Sequence, residues 1–154
     1  MMKISTIFIA VAACLSPLQV LSAAQGPEKD LDMIVKNCRS TFAISDEAVS
    51  FLHSTGSLKD ETDDKAMCYF NCVMEGMGLV KDGAFQVSEQ LKVTEKILNG
   101  KKKPDGTMYD LVGLKTDIEN CSKLQGKNVC HTTYVIVRCI EKKQSDLGIT
   151  KPNN

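Results

Sequence analysis

Apolar residues recur along this chain at the spacing of amphipathic helices, and the alternation expected of β-strands does not recur. Ser45, which precedes two acidic residues, predicts the N-cap of a short helix, and Gly56 predicts its end. The helix before it carries an apolar stripe that repeats every three or four positions: Leu31, Ile34, Val35, Cys38 and Phe42. We therefore expect helices and no strand.

Polar connections separate four further helical segments. The third helix is expected to begin at Asp63 and Asp64 and to stop around Gly76 to Gly78, and Ser88 is expected to cap the fourth helix. The lysine-rich stretch 99–106 predicts an exposed loop. The last two helices are predicted over residues 108–120 and 128–142. Six helices joined by polar turns predict an all-α domain with one core.

The first 24 residues have the features of a secretory signal peptide. Lys3 precedes an apolar run from Ile4 to Leu21, and Ser22-Ala23-Ala24 supplies the small residues of a cleavage site. No later segment approaches the ~18 apolar residues that span a bilayer, so we expect no membrane insertion. We predict a cleaved peptide over residues 1–24, a single domain over residues 25–154, and a secreted, extracellular protein.

Charge and cysteine content narrow the class of protein. Cleavage removes Cys14 and Lys3, which leaves six of the seven cysteines and a formal charge of −1 from 18 basic and 19 acidic residues. An even number of cysteines in a short secreted chain predicts a disulfide framework. The near-neutral charge gives no electrostatic reason to expect nucleic acid as a partner.

The spacing of the cysteines limits how they pair. Cys68 and Cys72 lie four apart in a helix, so their Cβ atoms are roughly 5–6 Å apart, whereas a disulfide needs roughly 3.5–4.5 Å. Cys130 and Cys139 lie nine apart, on opposite faces of the last helix. Excluding these two pairs leaves ten of the 15 connectivities of six cysteines. The last helix is therefore expected to be bridged on two sides.

Neither a metal site nor a redox pair fits the segment CYFNC. A zinc site needs four ligands, and the two histidines of the chain, His53 and His131, do not form a second two-ligand group. A redox pair is usually separated by two residues, whereas Cys68 and Cys72 are separated by three. We expect no metal and no cofactor.

The face of the third helix opposite its cysteines is apolar and rich in methionine: Met67, Phe70, Val73, Met74 and Met77. This face is either ordinary core or the wall of a cavity, since methionine adapts to varied apolar shapes. A helical shell held by disulfides resists collapse onto an internal void, which favours a dry cavity for an apolar ligand.

The full cysteine spacing is Cys38-x29-Cys68-x3-Cys72-x48-Cys121-x8-Cys130-x8-Cys139. Together with the segments ISDEAV, GLVKDG and CHTTYVIVRC, it resembles the insect odorant-binding protein family, which includes pheromone and general odorant binders. The resemblance covers essentially the whole mature chain. It implies a compact six-helix domain around an internal apolar cavity, with the disulfides Cys38–Cys72, Cys68–Cys130 and Cys121–Cys139.

The resemblance also implies a function. The chain is expected to bind small apolar molecules such as odorants or pheromones and to carry them through aqueous lymph to a membrane odorant receptor, as a monomer or weak homodimer. From helical faces, the candidate ligand-binding residues are Phe51, Phe70, Met74, Met77, Leu91, Leu98, Tyr109, Val112, Tyr134 and Val137. Among these, Tyr109 and Tyr134 offer hydroxyl groups that could orient a ligand.

Other functions stay open at this point. The same fold could serve as a salivary or reproductive carrier of lipids or biogenic amines. An enzyme resembling secreted phospholipases is disfavoured because the sequence shows no histidine–aspartate pair with a calcium loop. We therefore expect that the protein is not an enzyme. A saposin-like membrane-active protein would need a different cysteine spacing.

Overall fold

The computed structural model describes residues 26–103 and 105–149, so the predicted signal peptide lies outside the described residues. Within this part of the chain there are six helices: α1 (Gly26–Phe42), α2 (Asp46–Thr55), α3 (Asp64–Gly76), α4 (Val87–Leu98), α5 (Leu111–Cys121) and α6 (Val129–Asp146). The prediction of an all-α, six-helix fold is confirmed.

A short hairpin between α3 and α4 corrects the expectation that no strand forms. Strand β1 (Val80–Lys81) pairs antiparallel with β2 (Ala84–Phe85). The two residues between the strands, Asp82 and Gly83, both have positive φ, at 51° and 76°. That backbone is typical of the tight turns that match strand twist, so two residues on each side suffice for pairing. Two-residue strands are too short for an alternation to be visible in the sequence.

The helix ends follow the predicted capping in part. Ser45 accepts a hydrogen bond from the Ala48 amide at 3.2 Å, and Gly56 ends α2 in the left-handed region at φ 72°. Helix α4 starts one residue before the predicted cap Ser88, and its N-cap, Gln86, makes no side-chain capping bond. Side-chain capping therefore marks the start of α2 and not the start of α4.

The last two helices differ from their predicted ranges. Helix α5 begins at Leu111 because the Asp110 carboxylate accepts from the amides of Val112 and Gly113, and the preceding loop is tied by a bridge between Lys102 and Met108. Helix α6 continues four residues beyond the predicted end, to Asp146.

Three disulfides connect the helices in the order α1–α3–α6–α5. Cys38 bonds to Cys72, Cys68 to Cys130 and Cys121 to Cys139, with Cα separations of 5.8, 4.7 and 5.6 Å. This is the connectivity that the family resemblance implies. Cys68 is not bonded to Cys72, and Cys130 is not bonded to Cys139, as helix geometry requires. Helix α3 is therefore held between α1 and α6, and α6 is held on two sides.

The buried side chains form two clusters where the sequence led us to expect one core. The first lies between α1, α2, α3 and α6 and includes Tyr69, Phe70 and Tyr134. The second joins α4 and α5 to α6: Leu98, Leu114, Ile118, Cys121, Ile136 and Ile140. Both clusters use α6, so this helix is the element common to the two halves of the domain.

The disulfide between α3 and α6 should carry much of the stability. Cys68 and Cys130 are 62 residues apart, and closing a loop of that length restricts the unfolded chain by about 4 kcal/mol. We expect the double variant Cys68→Ala/Cys130→Ala to lose about that much free energy of unfolding, measured by urea denaturation. Both cysteines are half-buried, so little of the loss should come from a new cavity. A loss below about 1 kcal/mol would contradict the expectation.

Candidate functional site

An apolar cavity of about 220 Å³ lies between α1, α2, α3 and α6. Nine of its lining residues are apolar or aromatic: Leu31, Val35, Leu52, Tyr69, Phe70, Val73, Met74, Met77 and Val137. His53, Gly56 and Glu141 complete the lining. The wall is thus predominantly hydrophobic with few polar groups, the composition typical of sites for small ligands.

Helix α3 supplies the largest share of this wall. Tyr69, Val73 and Met77 follow one another at intervals of four residues, and Phe70 and Met74 do the same on the adjoining stripe. The cysteines of α3 fix its rotation, because one bonds to α1 and the other to α6. The rotation of α3 that forms its disulfides thus also brings its apolar stripes to the cavity.

The exposed lining residues mark the mouth of the cavity. Leu31 is 37% exposed and Met77 is 44% exposed, whereas Tyr69 is 1% exposed and Phe70 is 5% exposed. Glu141 accepts a hydrogen bond from Arg138 at 2.9 Å, so its carboxylate is already paired. The cavity therefore runs from a methionine and a leucine at the surface to an aromatic interior.

Two larger depressions have a different character. One, of about 970 Å³, follows α6 and is bordered by charged side chains that include Glu61, Arg138 and Lys142. The other, of about 570 Å³, lies beside the loop that follows α4 and combines Leu98, Tyr109, Met108 and Leu111 with three lysines. The first suits solvent rather than an apolar molecule, and the second is an exposed cleft flanked by lysine ammonium groups, so the more apolar 220 Å³ cavity is the candidate site.

The predicted ligand-binding residues separate into groups. Phe70, Met74, Met77 and Val137 line the apolar cavity together. Leu91, Leu98 and Tyr109 belong to the second core cluster on the other side of α6, and Leu98 and Tyr109 also border the cleft beside the loop. Phe51 is half-buried and lines none of these three cavities, and Val112 is 78% exposed. The structure therefore does not gather the ten residues into one site.

Tyr134 belongs to the first core, where its hydroxyl is already used. Its ring meets Phe70 edge to face, with centroids 5.6 Å apart. The hydroxyl donates to Glu61 Oε1 at 2.7 Å and accepts from the Leu58 amide at 3.1 Å. Burial, with the hydrogen bond to Glu61, raises the pKa of Tyr134 to about 12. The expectation that this hydroxyl orients a ligand is not supported, because both of its hydrogen-bonding roles serve the fold.

Eight of the twelve lining residues were not among the predicted ligand-binding residues, and Tyr69 is the most informative of them. Leu31 and Val35 were predicted as part of the apolar stripe of the first helix, without a link to the site. Tyr69 precedes Val73 by one turn of α3, and that spacing places it beside the apolar face.

Within the described residues, no helix has the length and apolar character required to cross a bilayer. The same residues contain no group of three histidine, cysteine, aspartate or glutamate side chains suited to a metal ion.

These features define a class: a helical domain joined by three disulfides, with a small apolar cavity between its helices. The model of the PBP/GOBP family matches residues 24–143, which is most of the chain. The chain belongs to this family of small-ligand binding proteins.

Individual relatives agree with the assignment. General odorant-binding protein 84a of Drosophila melanogaster is 29% identical over 115 residues, covering 72% of this chain and 56% of that relative. The chain thus spans little more than half the length of this relative.

Two solved structures share the fold. The fatty acid binding protein OBP56a from the oral disk of the blowfly Phormia regina superimposes with a TM-score of 0.57 at 18% identity, covering 88% of this chain and 99% of that one. Odorant binding protein 5 of Apis mellifera gives a TM-score of 0.52 at 24% identity, covering 91% of this chain and 100% of that one. Both neighbours are binding proteins rather than enzymes.

The bonds of Tyr134 lead to a stability prediction. Tyr134→Phe should lower the free energy of unfolding by about 1–3 kcal/mol, because the buried Leu58 amide loses its acceptor. Chemical denaturation near neutral pH measures this loss. A variant as stable as the wild type would show that the amide is satisfied in another way.

The raised pKa of Tyr134 should make the free energy of unfolding depend on pH. Its pKa is about 12 in the folded protein against 10.0 for a free tyrosine, so the folded state favours the neutral form. The stabilisation is therefore complete below pH 10 and is lost as the pH rises to about 12. Unfolding curves through this range should show the decline in the wild type and a smaller one in Tyr134→Phe.

Proposed function

We propose that the mature chain is a secreted carrier that holds small apolar molecules in the cavity between α1, α2, α3 and α6. Its ligands would be volatile compounds such as odorants or pheromones, carried through aqueous lymph to a membrane receptor. The observation that carries the proposal is the apolar wall: nine of twelve lining residues are hydrophobic or aromatic, and burial of a ligand's apolar surface against them drives binding. Membership of the PBP/GOBP family supports the same ligand-binding function.

Secretion forms part of the proposal. The predicted signal peptide over residues 1–24 would deliver the chain to an oxidising compartment, where disulfides form and persist. Three bonds that each close a long loop are consistent with that environment.

A carrier role outside olfaction uses the same site. One structural neighbour is named a fatty acid binding protein, so fatty acids belong in any ligand panel beside volatiles and biogenic amines. Displacement of a fluorescent apolar probe by such a panel identifies the ligand class. If the probe itself did not bind the mature protein, the carrier function would be lost.

A cavity-filling variant locates the binding site. Val137 lines the cavity from α6, and a phenylalanine there would occupy space that a ligand needs. We expect Val137→Phe to weaken probe binding by about tenfold or more, measured by fluorescence titration, which corresponds to about 1.4 kcal/mol.

Val135→Phe provides the matched control. Val135 is on the same helix and is half-buried as well, but it borders the charged groove along α6. This variant should bind the probe as the wild type does. Equal losses in the two variants would point to a general effect of the larger side chain, and undiminished binding in Val137→Phe would place the site elsewhere.

A further inference from the structure

Tyr69 is a buried tyrosine whose hydroxyl makes no hydrogen bond within the described part of the chain. The residue is 1% exposed and lies on the wall of the apolar cavity. Nearly all buried polar side-chain atoms in folded proteins have a partner, because an unpaired one loses its bonds to water without replacement. An unpaired hydroxyl at a ligand cavity therefore calls for a partner that comes from outside the fold.

The surroundings of Tyr69 supply no such partner. Its neighbours on the wall, among them Phe70, Val73 and Met74, are apolar. The two polar side chains of the lining do not bond to the Tyr69 hydroxyl: His53 is exposed on α2, and the Glu141 carboxylate accepts from Arg138. Tyr69 thus offers a hydrogen-bonding group in the buried part of an otherwise apolar wall.

The chemical state of Tyr69 fits a donor. Burial raises the pKa of its hydroxyl, with the positive charge of Arg39 acting in the opposite direction, so the group stays neutral and keeps its proton at physiological pH. A nearby positive charge also favours the orientation in which the oxygen faces the charge and the hydrogen points away. Arg39 itself is paired with Asp46, which leaves it less able to neutralise a second anion.

We propose that the Tyr69 hydroxyl is the polar anchor of the cavity and donates a hydrogen bond to an uncharged oxygen of the ligand, as in a ketone, aldehyde, ester or alcohol. This inference rests on the carrier function proposed above. A carboxylate is a poorer fit, because a single donor does not replace the hydration that an anion loses.

The size of the cavity limits the ligand. A closed apolar cavity of roughly 150 Å³ accepts benzene. At about 220 Å³, this cavity has room for a molecule of roughly six to ten heavy atoms. It lies below the roughly 300–1,000 Å³ of sites for drug-sized ligands. The cavity therefore encloses a small, neutral molecule with one acceptor oxygen, and a longer chain would extend out through the mouth beside Leu31 and Met77.

The test compares a methyl ketone and an alkane of equal heavy-atom count in the wild type and in Tyr69→Phe. Both ligands are measured by displacement of the fluorescent probe from the mature protein. The variant should bind the ketone about 3- to 10-fold more weakly and the alkane within about twofold of the wild type, because only the ketone loses a hydrogen bond. Weakening by the same factor for both ligands would overturn the proposal.

Stability without ligand gives an independent readout. Removing an unpaired buried hydroxyl should leave the unfolding temperature of Tyr69→Phe equal to or above that of the wild type. A clear decrease would mean that the hydroxyl already has a partner, such as a buried water, and would contradict the anchor role.

Tyr134→Phe is the matched control, since the hydroxyl it removes is already bonded to Leu58 and Glu61. It should lower the unfolding temperature and leave the ratio of ketone to alkane affinity unchanged. If neither ligand nor probe binds the wild type, the carrier function fails, and the anchor fails with it. If both bind and Tyr69→Phe leaves their ratio unchanged, the carrier function stands and only the anchor is lost.

Discussion

Helix α6 is bonded covalently on two opposite faces, and the arrangement of both halves of the domain depends on this. Cys130 shares its stripe with Tyr134 and Val137, at intervals of four and seven residues, and these side chains belong to the first cluster or the cavity. Cys139 lies on the other side with Ile136 and Ile140, which fill the second cluster. Each disulfide therefore fixes the helix face that its own cluster requires. A rotation of α6 would break both clusters together.

The cavity benefits from the same constraint. Its wall is built mainly from α3, which is bonded to α1 through Cys72 and to α6 through Cys68. In a helical domain without such bonds, neighbouring helices would be freer to close on an apolar void and recover lost contacts. Here the spacing of α1, α3 and α6 is set partly by covalent bonds. An unfilled volume can persist because the free energy it costs is offset by the restriction of the unfolded chain.

The sequence was most informative where geometry has few solutions. Four-residue and nine-residue cysteine spacings fixed which faces of α3 and α6 carry bonds, and the family resemblance then supplied the pairing. Helical periodicity also placed Phe70, Met74 and Met77 on one wall, where the structure has them. These are local properties of single helices, and a period of 3.6 residues determines them well.

Helical periodicity does not tell which cavity or cluster an apolar helix face will meet. Leu91, Leu98 and Tyr109 lie on apolar faces, but those faces turn to the second cluster, which the periodicity of one helix does not distinguish from the first. Val112 lies in the first turn of α5, two residues after the N-cap Asp110, and is 78% exposed. Which helices meet is decided by the disulfides and loops between them, and these are long-range properties.

The three tyrosines show why hydroxyl groups are harder to interpret than apolar faces. Sequence places Tyr134 and Tyr69 on apolar faces alike, yet one hydroxyl bridges Leu58 and Glu61 and the other has no partner within the described chain. The third, Tyr109, packs against the second cluster. The partner of Tyr134 comes from the loop between α2 and α3, more than 70 residues away in sequence. A buried tyrosine hydroxyl is structural when a loop supplies its hydrogen-bonding partner, and it stays available to a ligand when no loop does. The path of the loop between α2 and α3 therefore decides which of these two tyrosines is a candidate binding residue.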